Sequence, residues 1–475
     1  MVSTGAGHRR EAVPPPAVET GLVCAGCGAL APAHRPFTPR CPNRRPGDDI
    51  DHVMSRGIDL LRLDPPADPD PNPFIRYRAL FHAYHVARAA GWGDARYVDL
   101  VRELDDAVAG VDGSGFRVTP LIRAPAIARA AGLGARGTVW VKDETGNVAG
   151  SHKARHLFGI LLELRVAEAL GDGDPSSPLA IASCGNAAFA AAVVARAAGR
   201  ELRVFVPTTA DAGVVDRLRG MGARVVTCPR RPGEAGDPSY LRLQEALAAG
   251  AVPFTCQGPD NGLAIEGGST LAWEISDELR AAGASLDRIV VQVGGGALAS
   301  SCIGGLAEAR SLSATRANPR VHPVQSRAVA PLARAYERLA HRLDTDEPSD
   351  ADIGWAVRHR SAFMWPWESE PHSIATGILD DETYDWLAVV RGTLASHGGP
   401  VVVDEATLLE ANEIATTTTG IDVDPTGSAG LAGLLELRRH GRVSSSETVA
   451  VIFTGIRRDV ASDADMLGIR VGGTR

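Results

Sequence analysis

Three short stretches of this chain bring together groups able to act on a phosphorylated, aldehyde-bearing ring. Gly150-Ser151-His152-Lys153-Ala154-Arg155 places a lysine at the start of an expected helix. Ser183-Cys184-Gly185-Asn186-Ala187 and Gly294-Gly295-Gly296-Ala297-Leu298 each lie between an expected strand and an expected helix. A lysine amine forms an imine with an aldehyde when its surroundings favour the neutral amine. The positive end of a helix dipole contributes roughly 0.3–1 kcal/mol in that sense at Lys153. The Ser-x-Gly-Asn turn offers hydroxyl, amide and backbone N–H donors where open α/β sheets bind ligands. Ser183, Gly185 and Asn186 can hold a substrate carboxylate there, with the Asn186 amide reaching a ring hydroxyl. Three successive glycines leave backbone N–H groups uncovered, as a phosphate cradle requires.

An imine-forming amine, a polar turn beside a ring and a phosphate cradle are together the requirements of pyridoxal 5'-phosphate. Each stretch alone has a plainer explanation: a solvated lysine among His152, Arg155 and His156, a capping asparagine, a tight turn. Their order along one chain favours the cofactor. No GxGxxG fingerprint is present, which disfavours a nicotinamide dinucleotide.

The elements that must position these groups alternate strand and helix from Thr138 onward, which predicts parallel sheets with helices on both faces. Thr138–Val141, Leu179–Ala182, Arg203–Val206, Ala223–Val226, Arg288–Val293 and Thr448–Phe453 read as buried strands. Ser151 is expected to cap a helix carrying Leu157, Ile160, Leu161 and Leu164 at helical spacing, and Ala187–Ala198 to form an alanine-rich helix stopped by Gly199. Residues 1–20, with Pro14-Pro15-Pro16, read as a disordered tail. Residues 21–56 form a compact Cys-, Pro- and Gly-rich segment, and 57–112 a linker and helical extension.

The length of 475 residues, 44% of them apolar, allows at least two lobes. A net charge of −8 with interspersed signs argues against nucleic-acid or anionic-membrane partners, and no apolar run reaches the roughly 18–20 residues of a membrane helix. Seven scattered cysteines are too few for a disulfide framework, which points to a reducing, cytoplasmic setting.

These motifs resemble those of the fold-type II pyridoxal-phosphate enzymes, the tryptophan synthase β-like group that includes threonine synthase and the threonine and serine ammonia-lyases. The resemblance covers roughly residues 115–475 and adds Thr119-Pro120-Leu121, Lys142-Asp143-Glu144 and Glu266-Gly267-Gly268-Ser269-Thr270 to the stretches above. It implies a two-lobed α/β fold, with residues 113–156 and 265–475 as the large cofactor-binding domain and 157–264 as a small domain carrying the asparagine turn. It implies Lys153 as the imine lysine beside His152, Asn186 as the ring-hydroxyl partner, and Gly294, Gly295, Gly296, Ala297 and Leu298 as the cradle. Thr454, in Thr454-Gly455-Ile456-Arg457-Arg458-Asp459, matches the position facing the pyridine nitrogen. A hydroxyl there does not enforce a protonated ring, which favours loss of a β or γ substituent over racemisation.

Ser373–Gly377 and Asp424–Ala429 look most like threonine synthase, whereas the glycine loop looks like that of an ammonia-lyase. His152 and Ala154 depart from the threonine synthase pattern, and Arg155 matches it, a single arginine toward a substrate phosphate. The expected reaction is elimination or replacement of a side-chain substituent on a serine-, threonine- or homoserine-like amino acid, threonine synthase-like or ammonia-lyase. A cofactor-binding regulatory homologue without turnover is the further alternative. The resemblance also suggests a homodimer. Ahead of this core, Cys24-Ala25-Gly26-Cys27-Gly28 has the shape of a zinc knuckle. Cys41 supplies a third thiol, and His34 or His52 a fourth ligand.

Overall fold

A computed structural model of the chain describes residues 14–31, 35, 37–342, 350–367 and 371–458. The strands β1 (Thr20–Cys24) and β2 (Met54–Ile58) form an antiparallel hairpin. A second sheet begins with β3 (Leu121–Arg123) and β4 (Thr138–Asp143). The chain then leaves it to build β5 (Leu179–Ala182), β6 (Leu202–Pro207), β7 (Arg224–Cys228) and β8 (Val252–Pro253). It returns through β9 (Arg288–Gln292), β10 (Arg320–Ser326), β11 (Val401–Val403) and β12 (Thr448–Phe453). The large sheet has the order β11-β10-β9-β12-β4-β3 and the small one β7-β6-β5-β8. Only β3, at the edge, runs antiparallel within these two sheets. This is the α/β architecture expected from the alternating pattern.

Parallel strands need crossovers, and the helices that supply them cover both faces. Every residue of β9 is buried, and its centre, Ile289-Val290-Val291, is continuously apolar rather than alternating, as suits a strand covered on both faces. The helix Lys153–Ala169 crosses the helix Ala264–Ala281 at Gly159 and Gly267. A Cβ on Gly159 would stand 2.9 Å from the Gly267 Cα, and one on Gly267 would stand 2.1 Å from the Arg155 carbonyl oxygen. The paired glycines of Glu266–Thr270 thus set how closely the lysine-bearing helix approaches its neighbour.

The extension also packs on the core. Helices Pro73–Arg76, His82–Ala89 and Asp94–Asp112 replace the single helical segment expected there. Phe74, Phe81, Phe116 and Phe158 are all buried, and Phe74 meets each of the other three ring to ring. Residues 14–20, assigned to the tail by composition, are held: Tyr84 donates its hydroxyl to the Pro15 carbonyl (3.1 Å), and the buried Val18 donates its N–H to His85 Nδ1 (3.2 Å). Residues 1–13 lie outside the described residues. Ser151 is not the cap expected of it. The helix begins at Lys153 with His152 in the capping position, no side chain caps it, and the Ser151 hydroxyl is buried without a partner.

Candidate active site

The lysine motif is held at the C-terminal end of β4 by the turn that follows β12. Gly150 has φ +64°, and a Cβ there would lie 2.3 Å from Ile456 Cγ2, so only glycine fits. The Ile456 N–H donates to the Gly150 carbonyl at 2.9 Å and ties the two turns together. The Thr454 hydroxyl accepts from the His152 backbone N–H at 3.0 Å and lies 2.8 Å from His152 Nδ1. Burial, reinforced by Lys153, holds the His152 imidazole well below its usual pKa and therefore neutral. Its Nε2 is buried and has no partner.

The asparagine turn joins β5 to the helix Asn186–Ala197. The Gly185 N–H donates to Ser183 Oγ at 3.3 Å, folding the turn over itself. Arg458 spans two loops: it donates to Asn186 Oδ1 and, at 2.6 Å, to the Ala149 carbonyl. The Asn186 amide also hydrogen-bonds the Asp424 carboxyl, whose pKa burial raises to about 7 against this bond. Asn186 is thereby fixed at both ends of its amide, an orientation its sequence context does not reveal.

The glycine loop runs from β9 into the helix Ala297–Ser311, with Gly296 at φ +97° in the capping position. The segment 377–385 packs against it. A Cβ on Gly294 would lie 2.2 Å from Asp380 Oδ2, on Gly295 3.0 Å from the Tyr384 ring, and on Gly296 3.0 Å from Thr383 Cγ2. Close packing therefore requires glycine at all three positions. The Gly295 N–H donates to the Asp380 carboxylate.

All these stretches meet. A cavity of about 310 Å³ is lined by His152, Lys153, Ser183, Gly185, Asn186, Gly294 through Leu298, and Thr454. Asp237, Asp380 and Asp381 line the same cavity and were not expected from the sequence. An acidic run such as Asp380-Asp381-Glu382 reads locally as a solvated loop, and no motif spacing marks it. Burial is the largest influence on Asp380 and raises its pKa; burial also pushes Asp381 up to about 7, and Tyr384 donates its hydroxyl to Asp381 at 2.7 Å.

Arg155 does not face the cavity. It is fully buried between Glu144 (2.8 Å) and Glu274 (2.6 Å), while Lys142 bonds Glu274 at 2.8 Å and Glu278 at 2.7 Å. Burial alone would raise the Glu274 pKa, but Arg155 and Lys142 outweigh it and hold the carboxylate ionised. Lys142, Glu144 and Arg155, which looked like parts of site motifs, thus form a brace behind the site with Glu274.

Away from the cavity, the ligand atoms of Cys24, Cys27, Cys41 and His52 lie within 4.8 Å of one another. Cys24 Sγ is 3.3 Å from His52 Nδ1, and Cys27 Sγ is 3.5 Å from Cys41 Sγ. Metal–ligand bonds of about 2.0–2.3 Å give tetrahedral edges of about 3.3–3.8 Å, which these separations approach. The His52 ring presents its other nitrogen to Asp48 at 3.3 Å, as an oriented ligand does. His34 lies outside the described residues.

The family described as "Pyridoxal-phosphate dependent enzyme" matches residues 114–455. Threonine synthase from Bacillus sp. (strain ULM1) is 25% identical over 338 residues, which is 71% of this chain and 82% of that protein. L-serine dehydratase from Saccharomyces cerevisiae (strain AWRI1631) is 34% identical over 173 residues, 35% of this chain and 50% of that one. The fold is similar to that of a T.th. threonine deaminase, with a TM-score of 0.54 at 23% identity, covering 76% of this chain and 99% of that one. With the family match spanning both sheets and every wall of the cavity, the chain belongs to the pyridoxal-phosphate dependent enzymes of fold-type II.

Proposed function

We propose that this chain eliminates or replaces a β or γ substituent on a small amino acid of the serine, threonine or homoserine frame. The observation that carries this reading is the convergence of Lys153, Asn186, the glycine loop and Thr454 on one cavity. The residues fit the cofactor. Backbone free of side chains at Gly294, Gly295 and Gly296 lines the cavity, and the N-terminus of Ala297–Ser311 adds a favourable field for a phosphate. When bound, pyridoxal phosphate supplies an aldehyde for amine capture and a ring that withdraws electrons from the substrate Cα.

Lys153 would hold the aldehyde, and its amine would serve as the base for the substrate Cα proton. Positioned bases of this kind typically contribute roughly 10²–10⁴ in rate. Ser183 and the N–H groups of Gly185 and Asn186 bind the substrate carboxylate, and Asn186 directs its amide at the ring hydroxyl. The Thr454 hydroxyl has one hydrogen and two lone pairs. If neutral His152 carries its proton on Nδ1, both lone pairs accept from His152 and the hydrogen stays free for the ring nitrogen. That arrangement leaves the ring unprotonated and favours elimination.

Between the two readings of the reaction, a phosphorylated substrate needs a second cationic site. Arg155 is enclosed by glutamates, and among the described residues Lys153 is the only lysine or arginine lining the cavity. This favours the ammonia-lyase type of reaction over one on phosphohomoserine. A cytoplasmic homodimer with lobes 113–156 plus 265–475 and 157–264 belongs to the same proposal. The two separate sheets support the division, and seven free cysteines support a reducing compartment.

The test is reconstitution with pyridoxal phosphate followed by an amino-acid screen for 2-oxo acid release. The wild type should gain a visible cofactor absorbance that amino acids perturb, and Lys153→Ala should lose both that absorbance and turnover. A Lys153→Ala protein retaining both ends the proposal. Absorbance that no amino acid perturbs supports the regulatory homologue instead.

A further inference from the structure

The charge lining the cavity is unusual for a site that handles anionic substrates. Asp237, from the turn beyond β7, and Asp380, from the segment packed on the glycine loop, both line it. One Asp237 oxygen accepts from the Ser239 N–H at 2.8 Å, and Asp380 accepts from the Gly295 N–H. The two carboxylates act on one another: after burial, Asp237 is among the influences raising the Asp380 pKa, and Lys153 opposes it. In the same cavity lining, His152 is about nine-tenths buried, with Nε2 unpartnered. A neutral imidazole contributes no charge to offset the acids.

The cofactor makes this imbalance larger. When bound, its phosphate would add negative charge to the site, and Lys153, the only lysine or arginine lining the cavity among the described residues, would be taken up in holding its aldehyde. A second phosphate, carried by the substrate, would meet two carboxylates with no cation to balance it. A protonated amine in the same place would meet complementary charge from both sheets. We propose that Asp237 and Asp380 bind the substrate's side chain, and that this side chain carries an ammonium group. The substrates are then the amino analogues of serine and homoserine rather than their phosphate esters. This inference rests on the cofactor reading above. Asp237 and Asp380 act as specificity-determining residues, while Lys153 retains the chemistry. In such an elimination from the serine analogue the Cα–H bond breaks with its proton going to Lys153, its electron pair forms the Cα–Cβ double bond, and the β-nitrogen leaves as ammonia with the C–N pair.

The experiment compares dissociation constants on the reconstituted protein, read from the perturbation of cofactor absorbance. The ligands are 2,3-diaminopropionate and 2,4-diaminobutyrate against O-phosphoserine and O-phosphohomoserine. The diamino acids should bind at least about tenfold tighter, and Asp380→Asn or Asp237→Asn should each reduce that preference by about tenfold. Both replacements keep the side chain's size, and asparagine still caps the helix at 237. The resting cofactor absorbance should not change in Asp237→Asn. Tighter binding of the phosphate esters by wild type, or an unchanged preference in both variants, overturns the inference and leaves the proposed function standing. Failure to take up pyridoxal phosphate at all removes both.

Discussion

Lys153 works among neighbours that the chain brings from four separate turns, and Thr454 is the one that touches its motif directly. The Thr454 hydroxyl is the acceptor for the His152 backbone N–H, a buried donor immediately before the lysine. Thr454→Val keeps the shape and removes that acceptor. The expected cost is about 1–3 kcal/mol in urea unfolding, with a larger relative loss of cofactor affinity than of stability. Thr454→Ser, which restores the hydroxyl, should recover most of both. Equal cofactor affinity in the valine and serine variants would show that the hydroxyl does not serve the ring. The place of Thr454 in the cavity was legible from its resemblance to the family's motif, at a strand end that opens toward the ligand edge of a parallel sheet. Its bond to His152 was not, since residues 152 and 454 meet only after β4 and β12 pair.

At the scale of elements, the site stands on a brace in which charges balance: Lys142 and Arg155 against Glu144 and Glu274, all buried. Arg155→Met fills the space without the charge and leaves two buried carboxylates without their arginine. Removing one member of such a group typically costs about 3–5 kcal/mol. The check is the urea midpoint at neutral pH, and a change below about 1 kcal/mol would contradict the brace. The N-terminal hairpin is a second element with its own requirement. Arg56 in β2 pairs with Glu266 at 2.8 Å and Glu308 at 2.7 Å, so the hairpin is anchored to the core beside its cysteines. Purified protein should hold about one zinc per chain, and Cys24→Ser should lower that content and the stability of the hairpin while the cofactor absorbance persists. Metal analysis finding zinc far below stoichiometric would leave the cluster as buried free thiols.

Over the whole molecule, buried titratable groups set a pH window. Burial pushes Asp385 up to about 8 and Asp424 and Asp381 up to about 7. A carboxyl raised above its unfolded value near 3.8 prefers the neutral form in the fold, so its contribution is present at low pH and lost as pH rises through about 7–8. Burial also holds His156 down to about 3 and His322 to about 4, with His152 lowered too. These imidazoles stabilise the fold above the unfolded value of about 6.5 and lose that contribution as pH falls toward 4. Thermal unfolding should therefore peak between about pH 6 and 7, with Asp385→Asn flattening the alkaline limb. A midpoint that keeps rising from pH 7 to 9 would refute the assignment of that limb.

The fold class and six of the strands, β4, β5, β6, β7, β9 and β12, were legible in the sequence, whereas β1, β2, β8, β10 and β11 were not read from it; the meeting of the lysine, asparagine and glycine stretches was what the family resemblance implied. Buried parallel strands write themselves as short apolar runs such as Ile289–Val291, and turns that follow them must open at one edge of the sheet. Only the tertiary structure decided which charges meet. Arg155 looked like a substrate ligand until the crossing at Gly159 and Gly267 enclosed its helix against Glu274. Asp237 and Asp380 carry no local signature, and they share a cavity although they lie on segments far apart in the sequence. His52 stands beside Cys24 because β1 and β2 pair. Local pattern records which face of an element is buried. The identity of a charge's partner is a long-range property, set by packing between segments that the sequence keeps far apart.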